Sequence, residues 1–207
     1  MRPITTQPCM VPPPCCRQVV SVQSNDSMAR ISFAEKNSCG WAQRFCFEGN
    51  AGKNGLICAT GKREGDGKTP AGIFHIGEAF YIKEKPQTAL PTFQITQDTY
   101  WVDDPTSCYY NMRVQGTAGK DWNSAEHLID YPANYQAGFV ICYNTARTPG
   151  RGSAVFFHCG NAPTRGCVST GEGNVRRLLA ALDPAKAPCI VIGQAKRVTG
   201  LACGPGR

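Results

Sequence analysis

Only one stretch of this chain sustains a clear helical pattern. The rest is short alternating or apolar runs, broken every few positions by Gly, Pro, Asn, Asp and Ser. Such runs fit strands, because successive side chains of a strand face opposite sides and turn formers end it. Residues 29–35 and 41–47 alternate on either side of Asn37-Ser38-Cys39-Gly40, which predicts a hairpin. Residues 56–59, 73–76, 93–95, 99–102, 109–113, 137–143, 154–157 and 188–192 predict further strands. Residues 172–182 are the exception. They set Val175, Leu178, Leu179 and Leu182 on one face and stop at Asp183-Pro184, as an amphipathic helix packed on a sheet does. A short helix is also expected over 121–130. Evenly spaced short strands point to a mainly β fold, a sandwich or a barrel.

At 207 residues the chain suits one domain with flanking segments. Residues 1–27, rich in Pro, Gln, Ser and Thr, predict a flexible N-terminal extension, and 194–207 a loose basic tail. The folded domain is then 28–193. Net charge is +7, yet Lys and Arg are scattered without a dense run or interleaved aromatics, which argues against nucleic acid. No segment approaches the roughly 20 apolar residues that span a bilayer, and residues 1–16 lack the apolar stretch of an export signal. The chain is then either intracellular or seen without its export signal.

Twelve cysteines and three histidines include no C-x-x-C, so a structural zinc site is poorly supported. The cysteines are either partly disulfide-bonded or mostly small buried hydrophobes. The glycine-rich stretch 62–72 misses the phosphate-loop spacing and reads as a turn. His75 is expected to pack within its strand and His127 to face solvent, while Asp103-Asp104-Pro105 suits a solvated turn. The chemistry concentrates in 156–169. A strand delivers His158, a loop of Gly, Asn, Pro and Thr follows, and Thr164-Arg165-Gly166-Cys167 closes it. Imidazole can take a thiol proton and leave a thiolate nucleophile near neutral pH. By itself a cysteine beside a glycine is more often inert or disulfide-bonded.

His158 followed by Thr-Arg-Gly-Cys resembles the signature of the L,D-transpeptidase (YkuD-type) catalytic domain. So do Arg63-Glu64-Gly65-Asp66-Gly67-Lys68-Thr69-Pro70-Ala71-Gly72-Ile73-Phe74, Val102-Asp103-Asp104-Pro105 through Tyr109-Tyr110-Asn111, and Lys120-Asp121-Trp122. The likeness runs over roughly 28–193. Two features depart from it: the nine-residue step from His158 to Cys167 is shorter than in the family's main branch, and Cys159 stands where Gly is common.

The resemblance implies a β-sandwich of two mixed sheets framing a cleft, with the helix after the catalytic cysteine. It implies an acyltransferase on peptidoglycan stem peptides, at work in the periplasm or at the cell wall. Cys167 attacks the carbonyl of an L-configured centre and releases terminal D-alanine. An acceptor amine then resolves the thioester, forming a 3→3 cross-link or anchoring a protein. Water as acceptor gives a carboxypeptidase, and relatives with amidase or endopeptidase action or a non-catalytic wall-binding role are the alternatives. Carbapenems typically acylate such nucleophiles. No cofactor or metal is implied.

The roles follow residue by residue. His158 is general base and then acid, oriented by a backbone carbonyl near Cys159 or Gly160. N–H groups around Gly166 and Cys167 form the oxyanion hole. Arg165 holds a substrate carboxylate, or alternatively makes a structural salt bridge. Thr164 and Asn144 line the pocket.

Overall fold

The computed structural model describes residues 10–194; the expected basic tail and the first nine residues lie outside them, Gln194 apart. Thirteen strands and one α-helix follow in order: β1 (Gln18–Ser24), β2 (Met28–Asn37), β3 (Gly40–Asn50), β4 (Leu56–Cys58), β5 (Thr69–Tyr81), β6 (Thr92–Gln94), β7 (Thr99–Val102), β8 (Arg113–Gln115), β9 (Ala125–His127), β10 (Ala137–Ile141), β11 (Phe156–Cys159), β12 (Val168–Thr170), α1 (Glu172–Ala181) and β13 (Cys189–Gly193).

The fold is mainly β, as expected. Pairing runs β10–β11–β12–β3–β2–β1–β13–β5, and β5 pairs again with β10, so the strands close into a barrel-like ring. The implied pair of separate sheets gives way to this closure, because the thirteen-residue β5 meets β13 with its first half and β10 with its second. A small separate sheet, β8–β7–β9, stands beside the ring.

Residues 18–24, placed by sequence in a flexible extension, instead form a buried strand, so the folded unit begins well before residue 28. β1 lies between β2 and β13, with Val19, Val20 and Val22 fully buried. Its polar residues gave the misleading signal. Gln18 is buried with a full set of partners: its amide donates to Glu35 Oε1 and the Ala181 carbonyl, and its oxygen accepts the Asp183 N–H. A central strand tolerates Gln18 because each of its side-chain polar atoms is paired.

Four other expectations fail for local reasons. Residues 121–124 form no helix, because Asp121 accepts from Ser107 Oγ and the Cys108 N–H while the Asn123 N–H goes to Asp104; residues 125–127 then pair with β7. The run 109–113 is mostly turn, with Asn111 at φ +55, and its strand starts only at Arg113. His75 is exposed rather than packed, since Phe74 and Ile76 on either side of it take the inward positions of β5. Asp104 is buried, accepting four hydrogen bonds from Thr106 and Asn123, and these hold its carboxyl down at about 2. It ties two loops together and is no solvated turn.

β11 divides the interior. Phe157 and Cys159 face the main core with Phe139, Val168, Ile190 and the helix residues Val175, Leu178 and Leu179. Phe156, on the other face, joins Phe80, Trp101, Leu128 and Tyr135 in a second cluster that seats the small sheet on the ring. The neighbouring strand β10 comes close to β11 because residue 138 is glycine. A Cβ there would lie 2.4 Å from both the Phe157 carbonyl oxygen and the Phe80 ring. Gly138→Ala is therefore expected to cost about 2–3 kcal/mol through overpacking, read as a lower urea midpoint at unchanged m-value.

Candidate active site

The thiol of Cys167 sits where the loop after β11 re-enters the sheet, immediately before β12. It packs against the second cluster beside Phe156. Its Sγ accepts the Phe156 N–H at 3.3 Å and donates to the Ala154 carbonyl at 3.2 Å. Ala154 has φ +49, and its N–H donates to Asn111 Oδ1, which also accepts Trp101 Nε1–H. Asn111 thus ties down the left-handed residue whose carbonyl accepts the thiol hydrogen bond.

The Cys167 backbone is clamped by two hydroxyls. Thr164 Oγ1 and Thr69 Oγ1 donate to its carbonyl at 2.7 and 3.0 Å. Thr164 Oγ1 also accepts the Gly166 N–H, and Thr69 Oγ1 the Gly52 N–H. Within the Gly-Asp-Gly-Lys-Thr-Pro segment, Thr69 opens β5 and reaches across to the loop that carries Cys167. Gly166 has φ +147, and a Cβ on it would stand 3.0 Å from the Lys68 carbonyl. Thr164→Val removes a donor and orphans the Gly166 N–H, so a loss of about 2 kcal/mol in unfolding free energy is expected by urea titration.

His158 extends from the same face of β11 as Phe156 and is buried at 6% exposure. Its ring meets Tyr135 edge-on at 5.4 Å, and Tyr135 meets Phe156 in the same way at 5.7 Å. The thiol and the imidazole therefore flank one aromatic floor. His158 Nδ1 lies 2.7 Å from the Cys159 carbonyl. A carbonyl can only accept, so Nδ1 carries the proton and Nε2 is left as the basic nitrogen. Cys159 Sγ, on the opposite face, donates to the Ala137 carbonyl and is a core thiol, its acidity weakened by burial. The Cys159 carbonyl also accepts from Asn134 Nδ2, and the Gly160 N–H binds the Thr170 carbonyl.

Electrostatics favour the neutral form of both the Cys167 thiol and the His158 imidazole. Burial, with the Glu126 carboxylate adding to it, pushes the Cys167 thiol up to about 12 against the Phe156 N–H and the Lys62 charge. Burial pulls the His158 imidazole down to about 4, against its bond to the Cys159 carbonyl. The thiolate expected from the sequence is thus not the resting species. Glu126 accepts from Tyr135 OH, and burial raises its own carboxyl. Lys62, 3% exposed, pairs with Asp66.

A buried neutral histidine also writes itself into folding. Unfolded His158 titrates near 6.5 and folded His158 near 4, so the unfolded chain binds the extra proton in between. This contribution is fully present above pH 6.5 and is lost as pH falls to 4, by about 3 kcal/mol. Urea midpoints of wild type and His158→Asn across that window should show a slope in the former that flattens in the latter.

The remaining sequence candidates separate. Thr164 is buried within the loop rather than lining an open wall. Arg165 is exposed on the loop, and its charge reaches Glu126. Asn144, at φ +50, is taken up by its own loop: its amide donates to the Thr148 and Gly152 carbonyls and its oxygen accepts the Thr148 N–H. It shapes a turn instead of a pocket. Tyr135, Glu126, Asn134 and Lys62 were missed, since nothing local distinguishes them from ordinary surface or turn residues. Among the described residues no group of three or more His, Cys, Asp or Glu is placed to hold a metal ion.

Residues 42–192 match the family model YkuD, the L,D-transpeptidase catalytic domain. The chain belongs to this family. Members of the YkuD family act on peptidoglycan and are typically cysteine-dependent enzymes. No curated protein matches the sequence. Among solved structures, Bd1075 of Bdellovibrio bacteriovorus is similar at 14% identity and a TM-score of 0.46, over 88% of this chain and 52% of its own. The chain thus spans about half the length of that protein. No described helix is long and apolar enough to cross a membrane.

Proposed function

We propose that this chain is an L,D-transpeptidase that acts on peptidoglycan stem peptides with Cys167 as nucleophile, His158 as proton carrier and the cell wall as its place of work. The observation that carries this reading is the fixed tautomer of His158 on the aromatic floor that Cys167 also borders. It leaves a neutral, basic Nε2 on the thiol's side of β11.

With both groups neutral, proton transfer accompanies attack. Cys167 Sγ bonds to the carbonyl carbon at the L-centre of the donor stem as its proton passes to His158 Nε2. Collapse of the tetrahedral adduct breaks the C–N bond, and His158 returns the proton to the departing D-alanine amine. An acceptor amine then attacks the thioester and gives a proton to His158. The C–S bond breaks and Cys167 regains its proton. The Gly166 N–H is already held by Thr164, so the Cys167 N–H is the donor assigned to the oxyanion. The exposed Arg165 guanidinium is assigned a carboxylate of the stem. The acceptor is a second stem or a wall-anchored protein.

The test is mass spectrometry of disaccharide-tetrapeptide incubated with the protein. Release of D-alanine with a 3→3 dimer supports the proposal. Release with tripeptide alone moves the reading to a carboxypeptidase on the same nucleophile. Unchanged tetrapeptide with fully reduced protein overturns it.

A further inference from the structure

We infer that Cys16 and Cys189 form a disulfide site that joins the segment before β1 to the last strand of the ring. Their sulfurs lie 2.8 Å apart, and each residue is only 2% exposed. A disulfide needs about 2.05 Å, so less than about 1 Å of closure separates this contact from a covalent bond. The backbone holds the two residues in that relation. The Cys16 N–H donates to the Pro13 carbonyl and the Arg17 N–H to the Lys186 carbonyl, while Cys189 opens β13 in register with Val19 of β1. Val19, Val191, Met10, Trp41 and Ile73 close over the pair. The neighbouring Cys15 is exposed and lies outside this apolar cover.

The site has a structural purpose that the topology makes visible. β1 and β2 precede the family-matched residues 42–192, yet they fill the ring between β3 and β13. A bond from Cys16 to Cys189 pins that added hairpin to the final strand of the matched region. It spans 173 positions, nearly the whole described fold, and a loop of that size restricts the unfolded chain strongly.

The oxidant is a disulfide donor such as oxidised glutathione. The two thiols lose two protons and two electrons and one S–S bond forms, while the donor disulfide is reduced to two thiols. Because both thiols are buried, the exchange takes place during folding, before the seam between β1 and β13 closes.

The experiment refolds the full-length, fully reduced chain either in a reduced and oxidised glutathione mixture or in excess dithiothreitol. Free thiols are then blocked with N-ethylmaleimide under denaturing conditions, and the protein is mapped without reduction. The expected result in glutathione is one linked peptide pair containing Cys16 and Cys189, and a Tm about 5–15 °C above the dithiothreitol sample. Cys16→Ala and Cys189→Ala should each lose that rise. If a variant does not fold, the wild-type peptide map decides alone. Maleimide on both Cys16 and Cys189 after glutathione refolding would overturn the inference, as would Cys189 linked to Cys15 or glutathione held on either residue. None of these readouts depends on enzymatic activity.

Discussion

Cys167→Ala should release D-alanine from a tetrapeptide stem at least about 10⁴-fold more slowly than wild type while keeping its fold. The reason is local. The sulfur makes two weak hydrogen bonds, to the Phe156 N–H and the Ala154 carbonyl, and neither supports the barrel. The clamp on this residue grips its carbonyl, through Thr164 and Thr69, and survives the loss of the side chain. Cys167→Ser should be equally inactive, because a hydroxyl in the same desolvated place is harder to deprotonate than the thiol. The check is D-alanine release alongside thermal unfolding. Retention of more than a tenth of wild-type activity in either variant would remove Cys167 from the role of nucleophile.

His158→Asn should lower kcat/KM by about 10²- to 10⁴-fold. The pH profile of the wild type separates a base from a merely packed ring. A general base works in its neutral form, and burial has brought this imidazole down to about 4. The acid limb of kcat/KM should therefore fall near pH 4 and not near 6.5, leaving activity flat across pH 5.5–7. Asn can keep a hydrogen bond to the Cys159 carbonyl but cannot carry a proton, so the variant should lose both the rate and the limb. An acid limb that remained in His158→Asn would assign it to another group, with Glu126, whose carboxyl burial raises, the next candidate.

Much of this arrangement could be read from the residues alone, and the gaps have physical causes. The apolar run ending at His158, the Thr-Arg-Gly-Cys closure and the helix over 172–182 are local patterns, and local patterns survive into structure. β7 matches its expected span because Thr99–Val102 has both turn signals and β-formers around it. β1 was hidden because Gln18 is paired across the sequence, with Glu35, Ala181 and Asp183, and pairing at that distance leaves no trace in a window of ten residues. β9 was misread as helix for a similar reason: hydrogen bonds from the 104–108 turn hold its lead-in.

The site shows the same division. Cys167 and His158 stand nine positions apart, and the sequence brings them to one loop. Tyr135, Asn111 and Lys62 reach the site from three other segments, so only the closed ring and the small sheet together reveal them. The thiol's environment was equally out of view. Proximity of Cys and His suggested a thiolate, whereas desolvation of both groups favours a neutral pair. The closeness of Cys16 and Cys189, 173 positions apart, likewise depends on the parallel pairing of the first and last strands.

The most direct test of the central claim is intact-protein mass after exposure of the fully reduced protein to a carbapenem, with Cys167→Ala alongside. The account predicts one covalent adduct on the wild type that maps to Cys167 and no adduct on the variant. No adduct on the wild type, or an adduct that the variant keeps, would contradict it.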